Sequence, residues 1–384
     1  MVSMFSSHFF NWTEQLKDSG HEIYWLDVFD SNTYVKKIDF SEQIIGWRYK
    51  CDFPGRYTIK NNFPLLNRFI NILNERKLEE VFEEKLNKIK PDVVHSFVMY
   101  SACVPILEVM KKYRKISWIY SAWGNDLFYY QNVEKYRNDM IMVFPFLDYM
   151  FADCRRDLNL AVEFGFKGKV LGVYPGGGGY NLSDYSLFLR KRQQRETILI
   201  KGYQHKFGRC NMILRAIAKD FQKLKEFNIV IFGANKEVID FVKDSQSLQQ
   251  MENLTVLEKI DHTQVLKLMG RSYIYIGNSI SDGMPNTLLE AIVMETFPIQ
   301  SNPGGATAEI IKHGENGLLI NDPEDIDEIS SLIKKVLNNP KFVEKAIMLN
   351  NKKIKPKLER NFIKNQVLEK YKVVYSGLNE KFNT

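Results

Sequence analysis

The chain predicts an α/β protein made of two doubly wound, Rossmann-like domains. Three observations carry this. Apolar runs of four to six residues alternate with longer amphipathic stretches, the pattern of parallel βαβ units. The alternation restarts after a basic stretch at residues 191–195. Finally, 384 residues with 45% hydrophobic and 26% charged content can fill two cores and exceed the usual size of one.

The elements follow in order. In the first half, strands are predicted at 23–27, 93–97, 116–120, 149–151 and 169–173. A helix is predicted over 65–88, where Leu66, Ile70, Ile72, Leu73 and Leu78 recur at near-helical spacing. Only Val2, Ser3 and Met4 precede Ser6, Ser7 and His8, so the opening strand is a stub, short or truncated. The second series has strands at 197–200, 229–232, 255–257, 273–277 and 297–300. Between them lie helices at 210–223, 236–245, 262–269 and 287–294; Asp261 is placed to cap the third, with Gln264 reaching back. Helices at 324–337, 341–350 and 362–375 close the chain. The domains are expected at 1–190 and 191–360, with 361–384 a helix crossing back to the first. Their sheets would face each other across a cleft at the strands' carboxyl ends, where such folds bind ligands.

Several classes are excluded. The longest apolar candidate for a membrane span, 140–152, carries Pro145 and Asp148. The start lacks a basic region ahead of an apolar core, so a cytoplasmic protein is expected. Cys51, Cys103, Cys154 and Cys210 stand singly, which fits neither a zinc motif nor a disulfide framework. Residues 1–190 carry 24 Lys and Arg against 23 Asp and Glu, so the excess in the net charge of +7 belongs to the second half, with 29 against 23. Its basic runs, at 191–195 and from Lys352 to Arg360, lack the interleaved aromatics of a nucleic-acid platform. They read as solvated faces, or as a peripheral contact with an anionic membrane at the inner face of the cell membrane.

The segment 279–291 concentrates the chemistry. Asp282 and Glu290 are separated by seven residues, across a turn containing Gly283, Met284 and Pro285 and the start of a helix at Asn286, Thr287 and Leu288. Unpaired N–H groups at such a helix start favour a phosphate, and Glu290 one turn later could accept from a ribose diol.

This segment, with Ala291, the strand after it and residues 309–320, resembles the retaining glycosyltransferases of family 4, which have the GT-B fold. The resemblance implies that Asp282 contacts the donor sugar and that the amides of residues 283–288 contact the diphosphate. Glu290 would hold the ribose hydroxyls. It further implies two cations for the leaving diphosphate, for which Arg209 and Lys206 are available, with Tyr203 standing where the family has Arg. His95, Asn125, Asp126, Ser6 and His8 are the corresponding acceptor-side or cleft positions, and Trp123 replaces a family His. The implied activity is retaining, hexosyl-type transfer from a nucleotide-diphosphate sugar to an acceptor hydroxyl. The acceptor would be a bacterial surface polysaccharide or lipid-linked glycan. No bound cofactor, metal or nucleic acid is implied. A nucleotide-sugar-binding protein without turnover, and a sugar-nucleotide epimerase of the same fold, are the alternatives.

Overall fold

The computed structural model describes residues 1–382 and divides into two compact units. The first comprises Met1–Ala152, Leu158–Gly172 and the chain from Val367 onward; the second comprises Asp153–Asp157 and Val173–Gln366.

The first unit holds strands β1 (Val2–Ser3), β2 (Tyr24–Asp27), β3 (Glu42–Ile44), β4 (Val93–Phe97), β5 (Ser117–Ser121), β6 (Tyr149–Ala152) and β7 (Lys169–Val173). Their order is β3-β2-β1-β4-β5-β6-β7, and the pairings from β3 through β6 are parallel. Every residue of β5 and β6 is buried, as expected for strands covered on both faces. Helix α1 (Ser7–Glu14) follows β1 and buries Phe9, Phe10 and Trp12. Helices α2 (Arg56–Asn62), α3 (Pro64–Asn74) and α4 (Leu78–Ile89) follow β3.

The second unit has β8 (Thr197–Lys201), β9 (Asn228–Phe232), β10 (Leu254–Val256), β11 (Ser272–Gly277), β12 (Phe297–Ser301) and β13 (Leu318–Ile320). They form one parallel sheet in the order β10-β9-β8-β11-β12-β13. Alternation along the strands builds two apolar layers: Ile198, Ile200, Ile229 and Ile231 enter one, Leu199, Val230 and Tyr275 the other. Helices α5 (Cys210–Lys219), α6 (His262–Gly270) and α7 (Asn286–Val293) cover it, and α8 (Arg360–Phe382) ends the chain. The α/β class and the two Rossmann-like sheets are those the sequence predicts.

Local departures have identifiable causes. The helix predicted over 65–88 is two helices. Residues 75–77 leave the helix because Tyr49 and Glu75 form an antiparallel bridge and the Arg76 amide donates to the Arg48 carbonyl at 2.7 Å. The Asp261 side chain makes no cap bond; its carbonyl accepts from Gln264 N–H at 2.9 Å instead. The basic stretch 191–195 is solvated only in part, since Arg195 is buried and donates to the carbonyls of Arg190, Met294 and Glu295. The glycine run after β7 is pinned: Tyr180 and residues 358–360 exchange backbone bonds of 2.8 and 2.9 Å. Gly179, at φ 81°, sits where a Cβ would lie 2.7 Å from Ile363 Cδ1. All four cysteines are free, and no described helix is long and apolar enough to cross a membrane.

Candidate functional site

In the second unit the strand order reverses between β8 and β11, so their carboxyl ends flank a crevice of the kind in which open α/β sheets receive ligands. β8 ends at Lys201, and β11 is followed by residues 278–285 and then α7. Hydrogen bonds fix this loop at both ends. Ser279 N–H donates to Ser301 Oγ at 2.8 Å, and Asn278 Nδ2 to the Pro323 carbonyl at 2.8 Å. At the start of α7 the Tyr275 hydroxyl donates to Thr287 Oγ1 at 2.7 Å, and the Tyr180 hydroxyl to the Asn286 carbonyl at 3.2 Å.

Asp282 stands at the crest of the loop, partly open to solvent, with Lys201 Nζ 4.0 Å from its Oδ2. Its backbone carbonyl accepts from Arg156 Nη1 at 2.8 Å, and the same nitrogen reaches the Pro303 carbonyl at 2.8 Å. The next two amides already face carboxylate oxygens: Gly283 N–H donates to Asp282 Oδ1 at 3.0 Å and Met284 N–H to Asp153 Oδ2 at 3.2 Å. Both amides are thus engaged by side-chain carboxyl oxygens. Only glycine fits at 283, where a Cβ would lie 2.2 Å from Asp153 Oδ2. Burial, and then the neighbouring Asp157, push the Asp153 carboxyl well above the usual carboxylate range.

Pro285 precedes α7, and its carbonyl accepts from the amides of Leu288 and Leu289 at 3.0 and 3.2 Å. Leu288 therefore has no outward N–H to offer, contrary to the expectation; helical bonding claims it. Glu290 is only 8% exposed, and its Oε1 lies 2.7 Å from Nε2 of His262, the first residue of α6.

The predicted cations are placed differently. Arg209 does not open α5 but precedes it. Its guanidinium pairs with Glu324 and donates to the His205 and Gly208 carbonyls at 3.0 and 2.9 Å. Lys206 is exposed, with its ammonium 5.6 Å from the Phe207 ring. The cation beside Asp282 is Lys201, which also lies 5.0 Å over the Tyr203 ring.

Three residues were missed. Lys201 carried the weak signal of a charge closing an apolar strand. His262 read only as a helix start. Arg156 sits in the run Cys154-Arg155-Arg156-Asp157 directly after β6, and nothing in the sequence links it to residue 282. Asp153, Cys154 and Asp157 bring potential ligand atoms within 4.8 Å of one another. Arg156 neutralises Asp157 at 2.8 Å, and burial pushes the Asp153 and Cys154 protons toward retention, so the cluster is a charge-paired structural knot.

In the first unit the strand order reverses between β1 and β4. Ser6 accepts from His8 N–H at 3.3 Å and caps α1. His8 is exposed and meets Trp123 edge-on at 5.9 Å, close in sequence to Asn125, which begins a one-turn helix. Asp126 faces inward. Its carboxylate accepts from the Tyr120 hydroxyl at 2.5 Å and from the amides of Met99 and Trp123, both at 3.0 Å. It thereby ties the loops after β4 and β5 together, and burial raises its proton affinity. Val98, directly after β4, is held at φ 73°, a strained setting for a β-branched residue, and a π-helical turn, Met99–Cys103, follows. His95 lies in the middle of β4 rather than at its end, because the strand continues to Phe97. Both ring nitrogens are engaged, with the Tyr371 hydroxyl at 2.7 Å and Ser121 Oγ at 2.8 Å, and the ring stacks on Phe97. Burial holds its pKa well below the usual histidine value, so it is a neutral core residue.

Comparison with known proteins agrees with this architecture. Residues 189–354 match the family model described as glycosyl transferases group 1. A 179-residue stretch is 22% identical to glycosyltransferase 1 domain-containing protein 1 of Xenopus tropicalis; it covers 43% of this chain and 48% of that relative, so about half the length of each is matched. Sucrose-phosphate synthase of Thermosynechococcus elongatus superposes with a TM-score of 0.73 at 14% identity, covering 98% of this chain and 99% of that one. A glycosyltransferase of Rickettsia africae gives 0.68 at 15% identity over 97% and 98%. HepE of Anabaena, crystallised with UDP and glucose, gives 0.67 at 12% over 97% and 98%. The domain match places residues 189–354 with the glycosyl transferases group 1 model, and the solved structures share the two-domain fold of the whole chain.

Proposed function

We propose that the protein moves a sugar from a nucleotide-diphosphate donor to an acceptor hydroxyl with retention of anomeric configuration. The observation that carries the proposal is the pairing of Lys201 with Asp282 at the β8–β11 switch point, beside a loop whose amides already bind carboxylate oxygens. In this reading the diphosphate displaces the Asp282 carboxylate from the Gly283 amide, Lys201 meets the charge that develops as it departs, and the released Asp282 accepts from hydroxyls of the sugar. Glu290, oriented by His262, accepts from the ribose. Arg209 and Lys206 are further cations in the segment after β8, and recognition of the acceptor by Asn125, His8 and Ser6 is part of the same proposal. The leaving diphosphate assists deprotonation of an acceptor attacking from the same face. The chain's share is positioning and charge stabilisation, and no step is assigned to a metal. The acceptor is a surface polysaccharide or a lipid-linked glycan.

The Anabaena protein's complexes with UDP-glucose and with UDP and glucose make uridine diphosphate sugars the first donors to try. The test incubates the full chain with a panel of nucleotide sugars and follows nucleoside diphosphate release with and without glycan acceptors, then reads the product anomer by NMR. Acceptor-stimulated release with a retained anomer is expected. Binding without release would leave a nucleotide-sugar-binding protein. Conversion of the free nucleotide sugar to its epimer would replace the transferase reading.

A further inference from the structure

Helix α3 is turned inside out. Leu65, Leu66, Phe69, Ile72 and Leu73 fall on one face, and a helix of a globular unit normally turns such a face to the core. Here no side chain of α3 is buried: Leu65 is 80% exposed, Phe69 and Leu73 74%, and Phe63 just ahead of the helix 57%. The partly covered face is the polar one, carrying Asn67, Asn71 and Asn74. Its far end is fastened by polar bonds. The Asn74 side chain accepts from Cys51 N–H at 2.8 Å and donates to the Cys51 carbonyl at 2.7 Å, and Lys50 N–H donates to the Asn74 carbonyl at 2.9 Å. The chain has spent the helix's hydrogen-bonding face on attachment and left its apolar face for something else.

The local charge indicates what that is. From Phe53 to Asn74 there is no acidic residue, whereas Arg56, Lys60 and Arg68 are basic. Arg56 pairs with Asp52 outside that stretch, which leaves two exposed cations: Arg68 on α3 itself and Lys60 on α2, the helix packed against it. An exposed apolar stripe edged by cations fits the boundary of an anionic bilayer, where the side chains enter the acyl region and the cations meet headgroups. A symmetric second copy fits less well, because it would set like charges against each other. An eleven-residue helix lies in the interface and cannot span it. We propose that the α3 face, with Lys60 and Arg68, is a membrane-docking surface for anionic lipid. The inference stands apart from the transfer reading, since it is measured without donor or acceptor.

The test is sedimentation of the full chain with vesicles of phosphatidylcholine alone and of phosphatidylcholine with phosphatidylglycerol, at low and high salt. Binding to the anionic vesicles is expected, weakened by salt. Phe69→Glu with Ile72→Glu should lower partitioning at least about tenfold. Lys60→Glu with Arg68→Glu should remove the salt dependence. Both pairs are solvent-facing, so circular dichroism and melting temperature should stay as in the parent. Lys352→Glu with Lys353→Glu, in the other basic run, should bind as the parent does. Absence of vesicle binding, undiminished binding of Phe69→Glu with Ile72→Glu, or loss only in the Lys352 and Lys353 variant would overturn the proposal. So would a dimer in light scattering that dissolves with Phe69→Glu and Ile72→Glu while vesicles are ignored.

Discussion

Lys201→Met keeps an unbranched side chain of similar length and removes the ammonium that lies 4.0 Å from Asp282 Oδ2 and 5.0 Å over the Tyr203 ring. Unit charges at that distance attract by about 4 kcal/mol at an effective dielectric near 20. Both side chains are partly open to water, so the pair itself contributes at the level of surface ion pairs, about 1 kcal/mol or less, and the fold should survive. The larger loss is expected in turnover. A charge-assisted bond to a diphosphate oxygen is worth about 1.5 to 3 kcal/mol. At about 1.4 kcal/mol per factor of ten, kcat should fall roughly tenfold to a hundredfold. It should fall in kcat more than in KM, because the interaction grows as negative charge develops on the leaving group. The assay is nucleoside diphosphate release at saturating donor, with Arg209→Ala alongside. Arg209 is committed to Glu324 and two carbonyls, so its removal should cost less than about fivefold. A Lys201→Met enzyme within twofold of the parent, with an Arg209→Ala enzyme that has collapsed, would refute the placement of the working cation at the end of β8.

Three other outcomes are expected. Glu290→Gln should fold normally and raise the nucleotide dissociation constant roughly tenfold to a hundredfold in calorimetry, and His262→Asn should act more weakly in the same direction; unchanged affinity in both removes the pair from the site. His95 is held neutral in the fold, so below about pH 6.5 the unfolded chain binds the extra proton, and stability falls as pH drops by up to about 1.4 kcal/mol per unit. His95→Phe should therefore be less stable than the parent at pH 7.5, with the gap closing toward pH 5; a constant gap in denaturant titrations would contradict the assignment. Gly179→Ala forces a Cβ to within 2.7 Å of Ile363 Cδ1 at a left-handed φ, and should cost about 2 to 4 kcal/mol of second-unit stability, read as a lowered unfolding midpoint.

What could be read from the sequence was whatever local spacing encodes. Parallel strands buried on both faces appear as short apolar runs, which is why residues 93–97 coincide with β4 and residues 149–151 fall within β6. The stretch from Asp282 to Glu290 was legible because one turn and one helix start hold all of it. The direction of the α3 face was not legible for a matching reason. Periodicity reports that a helix has an apolar face and says nothing about which way it points; tertiary attachment through Asn74 decided that.

The partners of the motif were hidden because they arrive from other strands and helices. Lys201, His262 and Arg156 reach the loop only once β8 lies beside β11, α6 lies beside α7, and residues 153–157 join the second unit. Of the three, Lys201 had a physical signature open to inspection. Ile198, Leu199 and Ile200 are fully buried, and an ammonium immediately after them would be costly inside the sheet. It is tolerable only where the strand emerges, at the carboxyl edge, and β8 emerges at the switch point. A lysine that closes a buried strand bordering the reversal of strand order is thus a stronger candidate for meeting a phosphate than an arginine just ahead of the following helix. The arginine can turn outward to an acid such as Glu324, whereas the lysine's direction is set by the strand.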